Sequence, residues 1–226
     1  RVIQESAGRI INKKIICHGV DQQFIDAGLA LKNKPLTKIP KTLTYVSNAT
    51  PYKNQLQVID AVLELREKGY ELTLDLVGGG YGSYQKTLIA KIKEVDPDGQ
   101  WLIQHEFVDR DKLINFLSRT DIFIFASGCE NLPVTLLEAM SCSLPIASSD
   151  KGPMPEVLQD GGEYFDPESV QSTRKALERL LKSEELRQKY SARAYNLSKK
   201  YTWQNCSKST FNIITKWGKE YHSSHR

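Results

Sequence analysis

The sequence predicts an α/β fold: a doubly wound parallel sheet of about six strands, followed by extra helices at the carboxyl end. Three observations carry this expectation. Short runs rich in β-branched and aromatic residues alternate with amphipathic runs of helical spacing along most of the chain. The run Asp121-Ile122-Phe123-Ile124-Phe125-Ala126-Ser127 is apolar without alternation, which reads as a buried strand. Helical runs between successive strands supply the crossovers that parallel pairing requires.

In order, 42–47 reads as a strand and 54–68 as an amphipathic helix, with Leu56, Ile59, Val62 and Leu63 on one face and Gly69 ending it. A strand over 72–77 leads to a helix over 84–95, which stops before the turn signal Asp96-Pro97-Asp98-Gly99. The third strand is 101–105, followed by a short helix over 111–118. The strand over 121–126 feeds a helix that Pro133 opens, where its missing N–H costs nothing, and that runs to 142. Strands follow over 145–148 and 163–165, and the remainder is helical: 169–182, 184–199, and 203 to about 219. The stretch 1–40 differs in character. Its end, Asn33 to Lys41, reads as a surface linker, so a lead-in over 1–40 is expected to pack on a domain over 41–226.

Composition sets the outer bounds. The 226 residues, 40% hydrophobic, are enough for one sizeable core. No apolar run approaches the ~20 residues that cross a bilayer, and no signal peptide stands at Arg1. The chain begins without methionine, which suggests a fragment or a processed form. A net charge of +4 suits a phosphate-bearing ligand or an anionic membrane surface without choosing between them. Scattered lysines and the lack of a recognition motif argue against nucleic acid. Cys17, Cys129, Cys142 and Cys206 form no CxxC pair and the four histidines have no ligand spacing, so a reducing cytosol is expected and a zinc site is not.

The most informative stretch runs from Cys129 to Met140. It holds Glu130 and Glu138, separated by seven intervening residues, the second among apolar helix residues. Glu130 is expected at the carboxyl end of a strand, the edge at which open α/β sheets bind ligands. At ~1.5 Å rise per residue, Glu138 stands roughly 8 Å along the helix from Pro133. That separation suits two hydroxyl-bearing parts of one ligand better than one metal ion.

Ser127-Gly128-Cys129-Glu130-Asn131-Leu132-Pro133, followed by Leu137-Glu138-Ala139-Met140-Ser141-Cys142-Ser143-Leu144-Pro145-Ile146, resembles the signature of retaining glycosyltransferases of the GT-B fold, the family-four type or group 1 glycosyl transferases. Further blocks fall in that family's order across nearly the whole chain. Upstream are Ile16-Cys17-His18-Gly19-Val20-Asp21, Tyr45-Val46-Ser47-Asn48 with Tyr52-Lys53-Asn54, and Leu76-Val77-Gly78-Gly79-Gly80. Downstream are Gly152-Pro153-Met154-Pro155-Glu156-Val157 and Tyr201-Thr202-Trp203. The resemblance implies a Rossmann-like, donor-binding carboxyl-terminal half whose acceptor-binding partner half precedes it.

The resemblance also assigns roles. Lys53 reaches the donor diphosphate, Glu130 accepts from donor-sugar hydroxyls and Glu138 from the ribose. Lys53 and Glu130 are the residues expected to carry catalysis, through charge stabilisation on the leaving phosphate and orientation of the sugar. Amides near Val134 and Thr135 seat a phosphate at the helix N-terminus, and those of Asn131 and Leu132 approach the sugar. The family's turn reads Glu-Gly-Phe-Gly, whereas here Pro133 has no N–H to give. The loop with Phe107 and Val108 matches the place where the family holds the base, mostly through main-chain atoms. Gly78 and Gly79 allow either a tight strand-to-helix turn or close backbone approach to the ligand. Asn48 stands where the family carries an arginine; it donates hydrogen bonds but brings no charge.

The expected partners are a nucleotide-sugar donor, a saccharide or lipid-linked acceptor and the amino-terminal half, with no nucleic acid and no cofactor beyond the donor. No Asp-x-Asp pair is present, so metal-independent transfer is expected. The expected location is the cytoplasm, with peripheral contact at the inner face of a membrane left open. Two rivals share the pattern: an epimerase or phosphorylase of the same architecture, and a non-catalytic domain that retains only the nucleotide sugar.

Overall fold

The computed structural model describes residues 14–33 and 35–224, with side chains described to 218. Residues 1–13 of the expected lead-in lie outside the described residues. The chain divides into two units: Val20–Lys200, and a smaller one built from Arg1–Gly19 with Tyr201–Arg226.

The larger unit opens with helix α1 (Gln22–Leu31), then runs β1 (Thr42–Val46), α2 (Gln55–Glu67), β2 (Thr73–Val77), α3 (Gly82–Val95), β3 (Leu102–His105), α4 (Arg110–Arg119), β4 (Ile122–Phe125), α5 (Val134–Ser141), β5 (Ile146–Ser149), α6 (Met154–Leu158), β6 (Glu163–Phe165), α7 (Val170–Lys182) and α8 (Glu184–Ser198). All pairings are parallel and the order is β3-β2-β1-β4-β5-β6. This is the doubly wound sheet that the alternation of elements predicts. The direction of travel reverses between β1 and β4, which opens a crevice at their carboxyl ends.

Helix α2 packs on α3 and α7, while α1, α4, α5 and α8 pack among themselves. With helices on both faces, the strands are apolar throughout: Leu43, Tyr45, Ile122, Phe123, Ile124 and Phe125 are all buried. In this unit the boundaries fall within a residue or two of the sequence expectation. Two helices were not expected. The short α6 occupies the lip at Gly152-Pro153, and α1 lies in the supposed lead-in.

Helix α1 is a packed element. Asp21 caps it, accepting from Gln23 N at 3.2 Å, and Phe24 is buried. It crosses α5 so closely that a Cβ on Gly28 would lie 1.7 Å from the Ser141 carbonyl oxygen. Backbone offers no flexible group to yield there. Gly28→Ala is therefore expected to cost about 1–3 kcal/mol, read as a lower melting temperature, with α1 the first element to lose hydrogen-exchange protection.

The chain between α1 and β1 is tied down at the opposite sheet edge. Buried Arg187 donates to the carbonyls of Leu180, Leu181, Thr37 and Lys38 at 2.6–3.2 Å. A cavity of about 90 Å³ beside it is lined by Leu31, Thr37, Thr120, Ser143 and Leu144, remote from the crevice. In the smaller unit, α9 (Trp203–Ser224) begins at a ring stack between Trp203 and His18, with centroids 5.7 Å apart. Among the described residues, no helix is long and apolar enough to cross a membrane.

Candidate functional site

The crevice is built by two loops welded together. After β1 the chain makes a single 3₁₀ turn, Pro51–Lys53, and then Asn54 adopts the left-handed region at φ 54° to start α2. The Asn54 amide donates to the carbonyls of Tyr52 (3.2 Å) and Ala126 (2.9 Å), and Gly128 N donates to Tyr52 O at 2.7 Å. The β1–α2 and β4–α5 loops thus share their backbone bonds. The Tyr45 hydroxyl donates to Lys53 O at 2.7 Å, and burial pushes that phenol well above its ordinary range, so it remains a donor.

This frame brings Lys53 and Glu130 together across 77 positions of sequence. Lys53 Nζ donates to Glu130 Oε1, with both side chains largely buried, and lies 5.3 Å from the Tyr52 ring centroid and 5.8 Å from that of Phe125. The cation and the carboxylate neutralise each other at the carboxyl edge of the sheet.

Gln55, buried at the start of α2, braces the same loop. Its side-chain amide donates to Ser47 Oγ (2.9 Å) and to the Asn48 carbonyl (2.8 Å). Asn48 therefore sits in a held backbone beside the crevice.

Helix α5 departs from expectation at its first turn. Pro133, at φ −79° and ψ 80°, precedes the helix as its cap, and the Val134 amide donates back to Leu132 O at 2.9 Å. The Val134 donor expected to seat a phosphate is thus spent locally. The cause is the proline: its ψ folds residues 132–134 into a three-residue turn. Thr135 is anchored through its hydroxyl to Val46 O at 3.5 Å. Asn131 is exposed and Leu132 half-buried, both in the loop between Glu130 and that turn.

Glu138 lies one turn further, half-buried. Burial pushes its carboxyl up to about 7, with the Arg110 guanidinium opposing the shift and the Asp21 carboxylate adding to it. Arg110 and Asp21 are themselves paired at 2.7 Å. The elements bearing all three residues pack on one another, since α1 meets both α4 and α5.

The glycine loop closes the crevice from the β2 side. Gly78 has φ +124°, and a Cβ there would stand 2.4 Å from Ser47 O, so the turn itself demands glycine. At Gly79 an added Cβ would lie 2.2 Å from Glu106 Oε2, because the Glu106 carboxylate lies over this residue. Beyond Glu106, Phe107 is 89% exposed and Val108 half-buried, before Asp109 caps α4 by accepting from Lys112 N at 2.9 Å.

Asp21, Asn54 and Glu106 stood in the sequence blocks without a role of their own, and Gln55 and Arg110 were not named. An Asp followed three residues later by an apolar side chain was the signal available for α1 and its cap. Nothing in the local pattern marked the others, whose partners lie on different elements.

Comparison with known proteins places the chain in a family. The family described as "Glycosyl transferases group 1" matches residues 30–197. O-antigen chain mannosyltransferase B of Escherichia coli is 25% identical over 168 residues, 74% of this chain and 44% of that protein. A probable sucrose-phosphate synthase of Thermosipho melanesiensis is 32% identical over 75% of this chain and 40% of its own length. The chain thus spans less than half the length of these curated relatives. Among solved structures, Anabaena Alr3699/HepE in complex with UDP and glucose superposes with a TM-score of 0.77 at 18% identity, over 93% of this chain and 59% of that one. The carboxyl-terminal domain of a group 1 glycosyl transferase, LpcC of Francisella tularensis, superposes at 0.65 with 24% identity, over 80% of this chain and 97% of that domain.

Proposed function

Because this chain belongs to the group 1 glycosyltransferases, we propose that it forms the donor-binding half of a retaining GT-B enzyme that moves a hexosyl residue from a nucleoside-diphosphate sugar to a saccharide or lipid-linked acceptor. The observation that carries this reading is the Lys53–Glu130 pair, poised where the strand order reverses, with Glu138 about one turn into the helix that follows. The ammonium offsets charge on the diphosphate, most strongly as the leaving group develops it. Glu130 accepts from sugar hydroxyls once the ammonium is shared, and Glu138 accepts from the ribose. The main chain around Phe107 and Val108 faces the base. Relatives named as a mannosyltransferase and a sucrose-phosphate synthase motivate the hexosyl class and a role in building polysaccharide or glycoconjugate.

In this reading the Lys53 ammonium and the N-terminal dipole of α5 do the work that a divalent ion does elsewhere. Transfer by the full-length protein is therefore expected to be unchanged by EDTA and unstimulated by Mg²⁺ or Mn²⁺. A chelator-sensitive rate restored by metal would overturn that part. We place the reaction in the cytoplasm, consistent with four cysteines that are all unpaired, two of them exposed.

The direct test is calorimetric titration with UDP, GDP and dTDP, repeated on Glu138→Ala. Saturable binding of one nucleotide, lost in the variant, supports the reading and names the base. Binding that survives Glu138→Ala would sink the assignment of that residue. A second reading, a nucleotide-sugar-binding domain without transfer, is favoured by the uncharged Asn48 and the spent Val134 amide. Transfer by the full-length protein that depends on Lys53 would exclude it.

A further inference from the structure

We propose that the Glu106 carboxylate reads the base of the donor, and that the donor is a guanosine diphosphate sugar. The inference rests on the donor-site reading above and narrows it to one nucleotide.

The loops that follow β2 and β3 are joined at the carboxyl edge of the sheet. Gly78 N donates to His105 O at 3.0 Å, and the Gln104 side-chain amide donates to Gly78 O at 3.4 Å. The His105 ring is held in turn, with Nε2 2.6 Å from Asp75 Oδ1. From this fixed base Glu106 reaches across to the neighbouring loop, where its Oε2 would lie 2.2 Å from a Cβ built on Gly79. Unlike Gly78, Gly79 is not in the left-handed region. Its missing Cβ therefore serves to leave room for the carboxylate. Among the described residues Glu106 makes no hydrogen bond and no ion pair, so both of its oxygens are unspent.

Both loops also carry an exposed ring: Phe107, next to Glu106, and Tyr81, two residues beyond Gly79 and 97% exposed. Such rings offer a face to any flat heterocycle, which supplies affinity without choosing a base. The loop stands near the helix that bears Glu138 as well. Asp109 ends it and caps α4, Asp21 of α1 pairs with Arg110 at 2.7 Å, and α1 packs on both α4 and α5. A nucleoside with its ribose at Glu138 extends its base toward the start of α4 and the loop before it.

The choice of base then falls to the polar edge. A carboxylate only accepts, through two oxygens. Guanine sets two donors side by side, N1–H and the 2-amino group, and so occupies both oxygens in a charge-assisted pair. Uracil and thymine present one N–H between two carbonyl oxygens, which a carboxylate repels. Adenine and cytosine set an amino group beside a ring acceptor. Glu106 thus rewards guanine and penalises the others, which is how an oriented polar group discriminates.

The experiment titrates the full-length protein calorimetrically with GDP, UDP, dTDP and IDP, whose base is guanine without the 2-amino group, and repeats this on Glu106→Ala. GDP is expected to bind at least about tenfold tighter than UDP or dTDP and about three- to tenfold tighter than IDP. In Glu106→Ala, GDP affinity should fall about tenfold, the GDP-to-IDP ratio should collapse to about one, and UDP should change by less than about threefold. Glu106 is exposed, so an unchanged melting temperature should accompany these losses. Preference for UDP or dTDP overturns the proposal and leaves the donor-site reading standing. A GDP-to-IDP ratio unmoved by Glu106→Ala, or a loss shared equally by all four nucleotides, also overturns it. Binding of none of the four overturns the donor-site reading itself.

Discussion

Lys53→Ala is expected to lower transfer by the full-length protein by about 10²–10³-fold, the loss typical of removing one group that stabilises developing charge. On the proposed function the consequence is twofold. The diphosphate loses its ammonium, and Glu130, largely buried and bonded to Lys53, loses its partner. A stranded carboxylate next to a diphosphate repels the donor, so nucleotide affinity should fall along with turnover. Glu130→Gln separates the two effects. It frees Lys53 and removes the repulsion, so nucleotide diphosphates should bind at least as well as in the native chain, while transfer is lost with the sugar-side acceptor. Turnover measured alongside nucleotide affinity for both variants distinguishes this from loss of fold. Lys53→Ala with undiminished turnover would remove Lys53 from the mechanism.

Glu138→Gln is expected to stabilise the chain and weaken nucleotide binding in the same stroke. The native carboxyl titrates near 7, well above its ordinary value of 4.5, because burial penalises its charge. Between about pH 4.5 and 7 the folded chain therefore holds a proton that the unfolded chain has released. Stability consequently falls as pH rises through that window, and the deficit is complete above pH 7. The shift corresponds to ~1–3 kcal/mol once solvent screening of this half-buried group is allowed for. Glutamine does not titrate, so the variant should melt several degrees higher at pH 8 and nearly level with the native chain at pH 4.5. Nucleotide affinity of the native chain should weaken about tenfold per pH unit below its midpoint, and the variant should bind weakly at every pH. A variant that melts lower at pH 8 would show that Glu138 stabilises the fold and would contradict its role as a destabilised binding group.

The two expectations turn on residues that the sequence exposes to different degrees. Glu130 and Glu138 were legible because a β-branched run, a proline and an apolar helix give them an address at the strand–helix junction. Lys53 was legible from its place after the first strand. That Lys53 and Glu130 form one pair was not legible, because it depends on β4 lying beside β1, and the sheet order is not a local property of either segment. The Val134 amide shows the opposite failure. Its neighbours suggested an open helix N-terminus, yet the ψ of Pro133 turned the donor back onto Leu132.

The sequence by itself determined the fold class and the order of strands and helices along the chain. Periodicity and turn residues are read within a few positions, and those properties are fixed at that range. Tertiary structure decided the rest. It packed α1 onto α5 at Gly28 and Ser141, paired Arg110 with Asp21, and closed the ion pair between Lys53 and Glu130. Each depends on elements distant in sequence meeting at the point where the sheet reverses direction, and burial there converts ordinary side chains into a coupled set of charges.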